Sequence, residues 1–442
     1  MLLVRNLFEL LCLGLETKTV SEVQPESFCE MSQEDWRRIR EMADKQGVSA
    51  IMMDGLSLLV DKYGKEGIAP NIDSGWWQMY VLEGMGAMLQ TEKRNSHQLK
   101  VMESLASKWM EKGCRVMVFK GQASATMYPK PEHRSPGDID CYLINDNDND
   151  NVLETAVAEQ ATKGRARSAT TGDACQSKNE NANANLNFSA YHRGNGIARK
   201  VGADVDEGWY KHSQIHYKGE MFESHQYFVH TRDGKRGKLQ QKELEDYFKR
   251  ESVVFSELSY SVLLPPVQWT AMFLTYHACA HFVSEGLRLK QLLDWAMLLE
   301  KHQNDVDWKQ FYDFCERCHL KRFADAATSI CVKYLNVNVL CKQSEQARAN
   351  HNDNDRSATT GDACQSKNLK GWYKESPYAE KILDSALYDD DYVFGSGEGS
   401  WHNRWHLVKT LFRYRWKYEE IYEESVWRQL WFYASGYLFH TE

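Results

Sequence analysis

The sequence holds no uninterrupted apolar run near the ~20 residues that a membrane-spanning helix needs. It also lacks an excess of positive charge. The formal net charge is −8 and the pI is near 6.0, so nothing global points to a coat for a long polyanion. A small-molecule or protein acceptor fits that balance better. The opening is also not expected to be a secretory leader. The opening MLLVRNLFELLCLGLETK has no basic n-region, Arg5 and Glu9 interrupt its apolar run, and no small-residue cleavage site follows. Its apolar residues recur at helical spacing and predict an amphipathic first helix, so the expected location is cytoplasmic. Finally, there is no disulfide framework: the 11 cysteines are scattered and odd in number.

What is present is enough chain for two or three domains with proper cores, at 442 residues and an ordinary 42% hydrophobic content. The 14 Trp and 22 Tyr suit helices packed through aromatic anchors.

The most informative stretch is RVMVFKGQASATMYPKPEHRSPGDIDCYLI, from Arg115 to Ile144. An apolar strand (Val116 to Phe119) ends at Lys120-Gly121, and a short helical segment runs from Gln122 to Met127. A turn-rich passage with Pro129, Pro131, Pro136 and Gly137 leads into a second strand, Asp138 to Ile144. Strand alternation sends Asp138 and Asp140 the same way and Ile139, Cys141 and Leu143 into the sheet. Two neighbouring carboxylates repel unless a cation lies between them, and Mg2+ suits hard oxygen ligands while leaving room for substrate phosphates. The Lys120-Gly121-Gln122 corner supplies the other half, since glycine lets backbone approach a phosphate closely.

KG, then YP, then R, then GDID resembles the signature of a family of uncharacterised bacterial nucleotidyltransferases, itself similar to the polymerase-β-type superfamily. The resemblance implies a glycine-containing strand–helix turn for the nucleotide's phosphates and an Asp-x-Asp strand for metals. It also implies a third carboxylate on a later strand. The chain departs from that pattern at Gln122, where a small Gly or Ser is usual. Within SQIHYKGEMFESHQYFVH, Ser213 to Tyr217 and Glu220 to Val229 predict a hairpin about a Lys218-Gly219 turn, with Glu223 and His225 on one face. Glu-x-His there is similar to the family's third-carboxylate strand, which makes Glu223 the preferred third ligand over Asp204 and Asp206 in ADVDEG. His216 and His225 are auxiliary candidates for an acceptor or phosphate, against the plainer role of structural hydrogen bonding. The resemblance extends to YHACAHFVSEGLRLKQLLDWAMLL, with Asp294, and so to most of the chain.

The rest reads as helix. Residues 1–112 form an N-terminal helical region, with a helix start at Ser32, a helix from Val48 to Lys62 ended by Gly64 and Gly67, and a long one from Trp76 to Lys112. Residues 113–235 hold the nucleotidyltransferase core, 236–345 a helical domain, and 377–442 a C-terminal aromatic and basic segment. A flexible insertion at about 164–200 interrupts the core, and a second, 346–376, precedes the C-terminal segment. The thirteen residues Arg167 to Asn179 recur identically at Arg356 to Asn368, too few and too polar for a solenoid, and are expected as surface loops carrying Cys175 and Cys364. A helix is also expected from Val152 to about Thr162. His277 and His281 sit four apart on one helix face, but no third zinc ligand accompanies them, so core or supporting roles are expected. Cys315-Glu316-Arg317-Cys318-His319 matches the haem c attachment pattern by coincidence, because that chemistry needs export. From Ser400, Trp401, Trp405, Val408 and Phe412 follow helical spacing. Arg404, Lys409, Arg413, Arg415 and Lys417 make the stretch basic, either for an RNA strand, an anionic lipid surface or the nucleotide's phosphates, or as the solvated face of a packed helix.

The fold expected is α+β: a small mixed sheet flanked by N- and C-terminal helical regions. The reaction the resemblance implies is attack of an acceptor hydroxyl on the α-phosphate of a nucleoside triphosphate, with Mg2+ held by Asp138, Asp140 and Glu223. Lys120, Gly121, Gln122 and Arg134 would bind the nucleotide, Arg134 through its planar fork. The acceptor class (small molecule, protein or RNA) stays open. Two other readings remain: a catalytically inactive descendant that binds nucleotide or protein, and a helical interaction protein whose Asp pair is a solvated strand end.

Overall fold

A computed structural model describes residues 2–145, 180–230, 234–248, 253–284, 286–339, 373–389 and 408–431. Both copies of the thirteen-residue repeat, Trp401, Trp405 and the expected helix after Val152 lie outside the described residues.

Seven strands form one mixed sheet among the described residues: β1 Cys114–Val118, β2 Ile139–Asn145, β3 Asp204–Asp206, β4 His212–Tyr217, β5 Glu220–His225, β6 Ser256–Ser259 and β7 Val262–Leu264. Their order across the sheet is β3-β4-β5-β2-β1-β7-β6. β1 pairs antiparallel with β2, β2 parallel with β5, and β1 parallel with β7. The expected hairpin is β4–β5. Its turn places Lys218 and Gly219 at φ 48° and 85°, the left-handed pair of a two-residue turn whose twist matches the strands. This is the α+β architecture expected, with helical regions before and after the sheet.

Each face of the sheet has its own core, because strand side chains alternate. Val116 and Val118 of β1, Ile139, Cys141 and Leu143 of β2, and Phe222 of β5 pack on Val101, Leu105 and Trp109. Those three belong to the helix Ser74–Met110, 37 residues long, which Gly113 at φ 74° stops just before β1. On the other face, Met117, Phe119 and Tyr142 meet Phe228, Trp269 and Phe273, the last two from the helix Val267–Ser284. Asp140 shares this second face with Tyr142, at the point where the aromatic packing stops and polar groups begin.

The helix expected to end at Gly64 does break there: residues from Ser49 are helical up to Gly64, whose φ 68° and ψ 173° are non-helical, and a further helical piece runs on to Ile68. One local expectation needs revision. Lys417 is not a solvated base: it is fully buried, 3.0 Å from an Asp389 carboxylate oxygen. Cys315 and Cys318 are buried free thiols at the end of the helix Trp308–Arg317, as packing residues should be.

Candidate active site

The site lies where β1 ends and β2 begins, beside the later half of β5 and beneath the helix Val267–Ser284. In the parallel pair β2–β5, Asp140 stands opposite Glu223 and Ile139 opposite Phe222. This register turns the two carboxylates to one side while their apolar neighbours fill the opposite core. His225 follows Glu223 on the same face. Oxygens of Asp140 and Glu223 and a ring nitrogen of His225 lie within 4.8 Å of one another, a grouping able to hold a metal ion.

Asp138 directly precedes β2 and is exposed, whereas Asp140 is buried. Partial desolvation and the charges of Glu223 and Asp140 push the Asp138 carboxyl up from its ordinary value. Burial would raise Asp140 too, but the Lys120 ammonium and the His225 hydrogen bond outweigh it and hold that carboxyl far below the usual carboxylate range. Lys120 Nζ is 2.6 Å from Asp140 Oδ1, and His225 Nε2 reaches the same oxygen at 3.0 Å. Glu223 is also held low, its burial outweighed mainly by His225. His225 Nε2 is 3.5 Å from Glu223 Oε2, and His212 Nε2 on β4 is 3.7 Å from Glu223 Oε1.

The corner after β1 is built from backbone that only glycine tolerates. Gly121 has φ 57° and ψ −107°, and a Cβ there would sit 3.4 Å from the carbonyl oxygen of Asp138. Gln122 turns its side chain away from the corner. Its amide donates to Asn95 Oδ1 at 2.7 Å and Gln98 Oε1 at 2.8 Å, both on the long helix Ser74–Met110. The same two residues donate to the loop before β2: Asn95 to the carbonyls of Glu132 and Arg134, Gln98 to that of Gly137. One buried amide network thus fixes the spacing between the Gly121 corner and Asp138.

Arg134 is placed differently from its role as a nucleotide partner. Its fork is committed to Asp294, with Nε and Nη2 each 2.7 Å from a carboxylate oxygen, and Tyr128 donates to the same carboxylate at 2.7 Å. All three side chains are buried, and the contact docks the loop before β2 onto the helix Leu289–His302. Asp204 and Asp206 lie exposed on β3 at the sheet edge, with β4 between them and β5. His216 is exposed on β4.

Around the site, His212, Lys290, Asn95 and Gln98 were not singled out in the sequence, whereas His277 and His281 were, without any link to Lys120. Lys120 Nζ also lies 3.1 Å from His277 Nε2, which in turn lies 3.1 Å from His281 Nε2. Lys290 is close enough for its charge to act on Asp138, and its own ammonium is destabilised by burial and by Arg134. His212 is buried with no partner for its Nδ1. The His277–His281 spacing was visible, but nothing in it pointed to Lys120.

A mixed sheet thus sets facing carboxylates on two parallel neighbours, with a lysine–glycine corner beside them and histidines behind, and the Asp140, Glu223 and His225 group could hold a metal ion. A family model described as "Uncharacterised nucleotidyltransferase" matches residues 32–336, more than half of the 442-residue chain, and the protein belongs to that family. The match takes in every site residue described above. Among curated proteins and among solved structures, nothing matches the chain. No helix of the described residues is long and apolar enough to cross a membrane.

Proposed function

We propose that the protein transfers a nucleoside monophosphate from a nucleoside triphosphate to an acceptor hydroxyl, in the manner of the polymerase-β-type superfamily. The observation that carries this reading is the register of Asp140 opposite Glu223 beside the Lys120-Gly121 corner, within a chain that belongs to a nucleotidyltransferase family. Asp138, Asp140 and Glu223 would hold divalent metal, for which Mg2+ is the natural partner of a triphosphate. A bound divalent ion supplies Lewis-acid stabilisation of the charge that develops on the phosphoryl oxygens.

The chain's own groups account for the remainder. The carboxylate nearest the acceptor hydroxyl would take its proton, and Asp138, the exposed member of the three, is the one we assign to it. As the acceptor oxygen bonds to the α-phosphorus, the bond to the β-phosphate's bridging oxygen breaks and pyrophosphate leaves. Lys120 and Lys290 flank the carboxylates as cations for the β- and γ-phosphates. Gly121 lets the backbone come close to them, and Gln122, turned inward, leaves that corner open. Arg134 acts at one remove by fixing the loop that carries Asp138.

The test is a screen of the four ribonucleoside triphosphates with Mg2+ or Mn2+, reading the thermal midpoint and pyrophosphate release. At least one triphosphate should raise the midpoint only when metal is present, and Asp140→Asn should abolish that rise. No response to any triphosphate with either ion would remove the reading and favour the inactive descendant.

A further inference from the structure

His225 is unlike an ordinary core histidine in what its two nitrogens face. Its Nδ1 lies 3.0 Å from the Tyr227 carbonyl oxygen. A carbonyl oxygen only accepts, so Nδ1 carries the hydrogen and donates it. That fixes the orientation of the ring and leaves Nε2 directed at Asp140 Oδ1, 3.0 Å away, and Glu223 Oε2, 3.5 Å away. Three electron-rich atoms of a buried histidine and two carboxylates therefore converge; Lys120 Nζ meets one of them, Asp140 Oδ1, at 2.6 Å, and a proton or a cation is needed to reconcile the other two. A histidine whose outer nitrogen donates to a backbone carbonyl while the inner one faces carboxylates has the tautomer and second contact of a metal ligand. Behind it stands His212, 3.7 Å from Glu223, its rings 5.1 Å from His225 centroid to centroid and its Nδ1 without a partner.

We propose that Asp140, Glu223 and His225 form a mixed nitrogen–oxygen metal position, selective for a first-row transition-metal dication over Mg2+. The proposal rests on the nucleotidyltransferase reading for the presence of metal, but adds His225 as a ligand and changes the ion. Mg2+ demands near-octahedral oxygen coordination and keeps its waters, whereas imidazole is a ligand of the transition series. A ligand set of one imidazole and two carboxylates therefore favours an ion that accepts both donor types. Lys120 shares Asp140 Oδ1 with His225 and would leave that oxygen when the ion enters, with His277 Nε2 remaining as its partner.

The experiment uses the full chain and Mn2+ as the probe. Mn2+ binding is followed by electron paramagnetic resonance, with Mg2+ as competitor, with and without a triphosphate. Pulsed spectra of bound Mn2+ are expected to show coupling to a nitrogen-14 nucleus, and Mg2+ should displace Mn2+ only at large excess. His225→Gln, which replaces nitrogen by an amide oxygen, should remove the coupling. It should also weaken Mn2+ at least as much as the roughly tenfold seen on losing an outer-shell partner, bringing the two ions towards parity. His225 is buried, so the nitrogen coupling in the unaltered protein decides the matter even if the variant fails to fold. Bound Mn2+ without that coupling, or equal competition by Mg2+, would overturn the proposal while leaving a Mg2+-dependent nucleotidyltransferase intact. Failure of both ions to bind, with or without triphosphate, would remove both.

Discussion

Lys120 Nζ lies 2.6 Å from Asp140 Oδ1, so a carboxylate suited to a metal ion already has a cation in contact. The lysine comes from the end of β1 and the aspartate from β2, and their strands pair antiparallel. The contact explains how a buried carboxylate remains ionised without metal, since burial alone would drive it towards its neutral form.

Lys120→Met is therefore expected to destabilise the metal-free protein. Removing one member of a buried pair costs ~3–5 kcal/mol, and the lysine side chain is 19% exposed, which places the loss at or below the lower end. Urea unfolding measures it. Adding Mn2+ or Mg2+ should narrow the gap between variant and parent, because the ion replaces the missing charge. An unchanged gap would mean that Lys120 stabilises the fold by packing rather than by neutralising Asp140.

Asp138→Asn should act in the opposite direction. Its carboxyl is raised in the folded protein, so ionising it costs stability once the pH exceeds the unfolded value of ~3.9. The amide avoids that cost, and the metal-free variant should melt slightly above the parent at neutral pH. The advantage should vanish at pH 3, where the aspartate is protonated in both states. With metal and triphosphate present the order should reverse, because only the parent gains the full binding energy. A variant that melts well below the parent without ligand would show Asp138 to be a structural acceptor.

Much of this site was legible because strand alternation is local. Asp138 and Asp140 straddle Ile139, Glu223 and His225 straddle Ser224, and the glycine corner follows an apolar run. The register that sets Asp140 opposite Glu223 could be reached only through family resemblance, since it joins strands far apart in the chain. Contacts between side chains left no local mark. Lys120 and His277 are 157 residues apart, and Arg134 and Asp294 are 160 apart. Arg134 shows the consequence: its residue type suits phosphate, but a buried carboxylate suits the same planar fork equally well. Asn95 and Gln98 were hidden within an amphipathic helix, where a polar residue normally marks the solvent face.

Arg134→Lys should separate those two roles. A lysine cannot reproduce the two-pronged contact with Asp294 and leaves the Tyr128–Asp294 hydrogen bond without its strongest neighbour. The expected result is lower stability, with the midpoint rise on adding metal and triphosphate largely retained. Asp294→Ala, which strands the arginine charge, should cost more, ~3–5 kcal/mol for breaking a buried pair. A variant of normal stability that no longer responds to triphosphate would return Arg134 to the phosphates.

The last prediction follows from His277, whose Nε2 is 3.1 Å from both Lys120 Nζ and His281 Nε2. Desolvation, reinforced by the lysine charge, holds the imidazole well below its ordinary value of 6.5. In the folded protein the neutral ring accepts from the lysine, and a protonated ring would face a second positive charge. On unfolding, the ring regains its ordinary affinity for protons. Below about pH 6.5 the unfolded state therefore binds a proton that the folded state does not, and stability falls with pH by at most about 1.4 kcal/mol per unit. His212, held down to about 4 by burial, adds a loss of the same sign. Asp140 and Glu223 are also held low, but their contributions are lost only as the pH falls through the carboxylate range. The window from pH 6.5 to 5 is thus left mainly to the histidines. His277→Gln keeps an acceptor beside Lys120 and removes the titration. Its unfolding free energy, measured in urea at pH 7, 6 and 5, should start below that of the parent and approach it as the pH falls. If the parent instead gains stability on acidification relative to the variant, His277 carries a proton in the folded protein. In that case Lys120 is turned towards Asp140 alone.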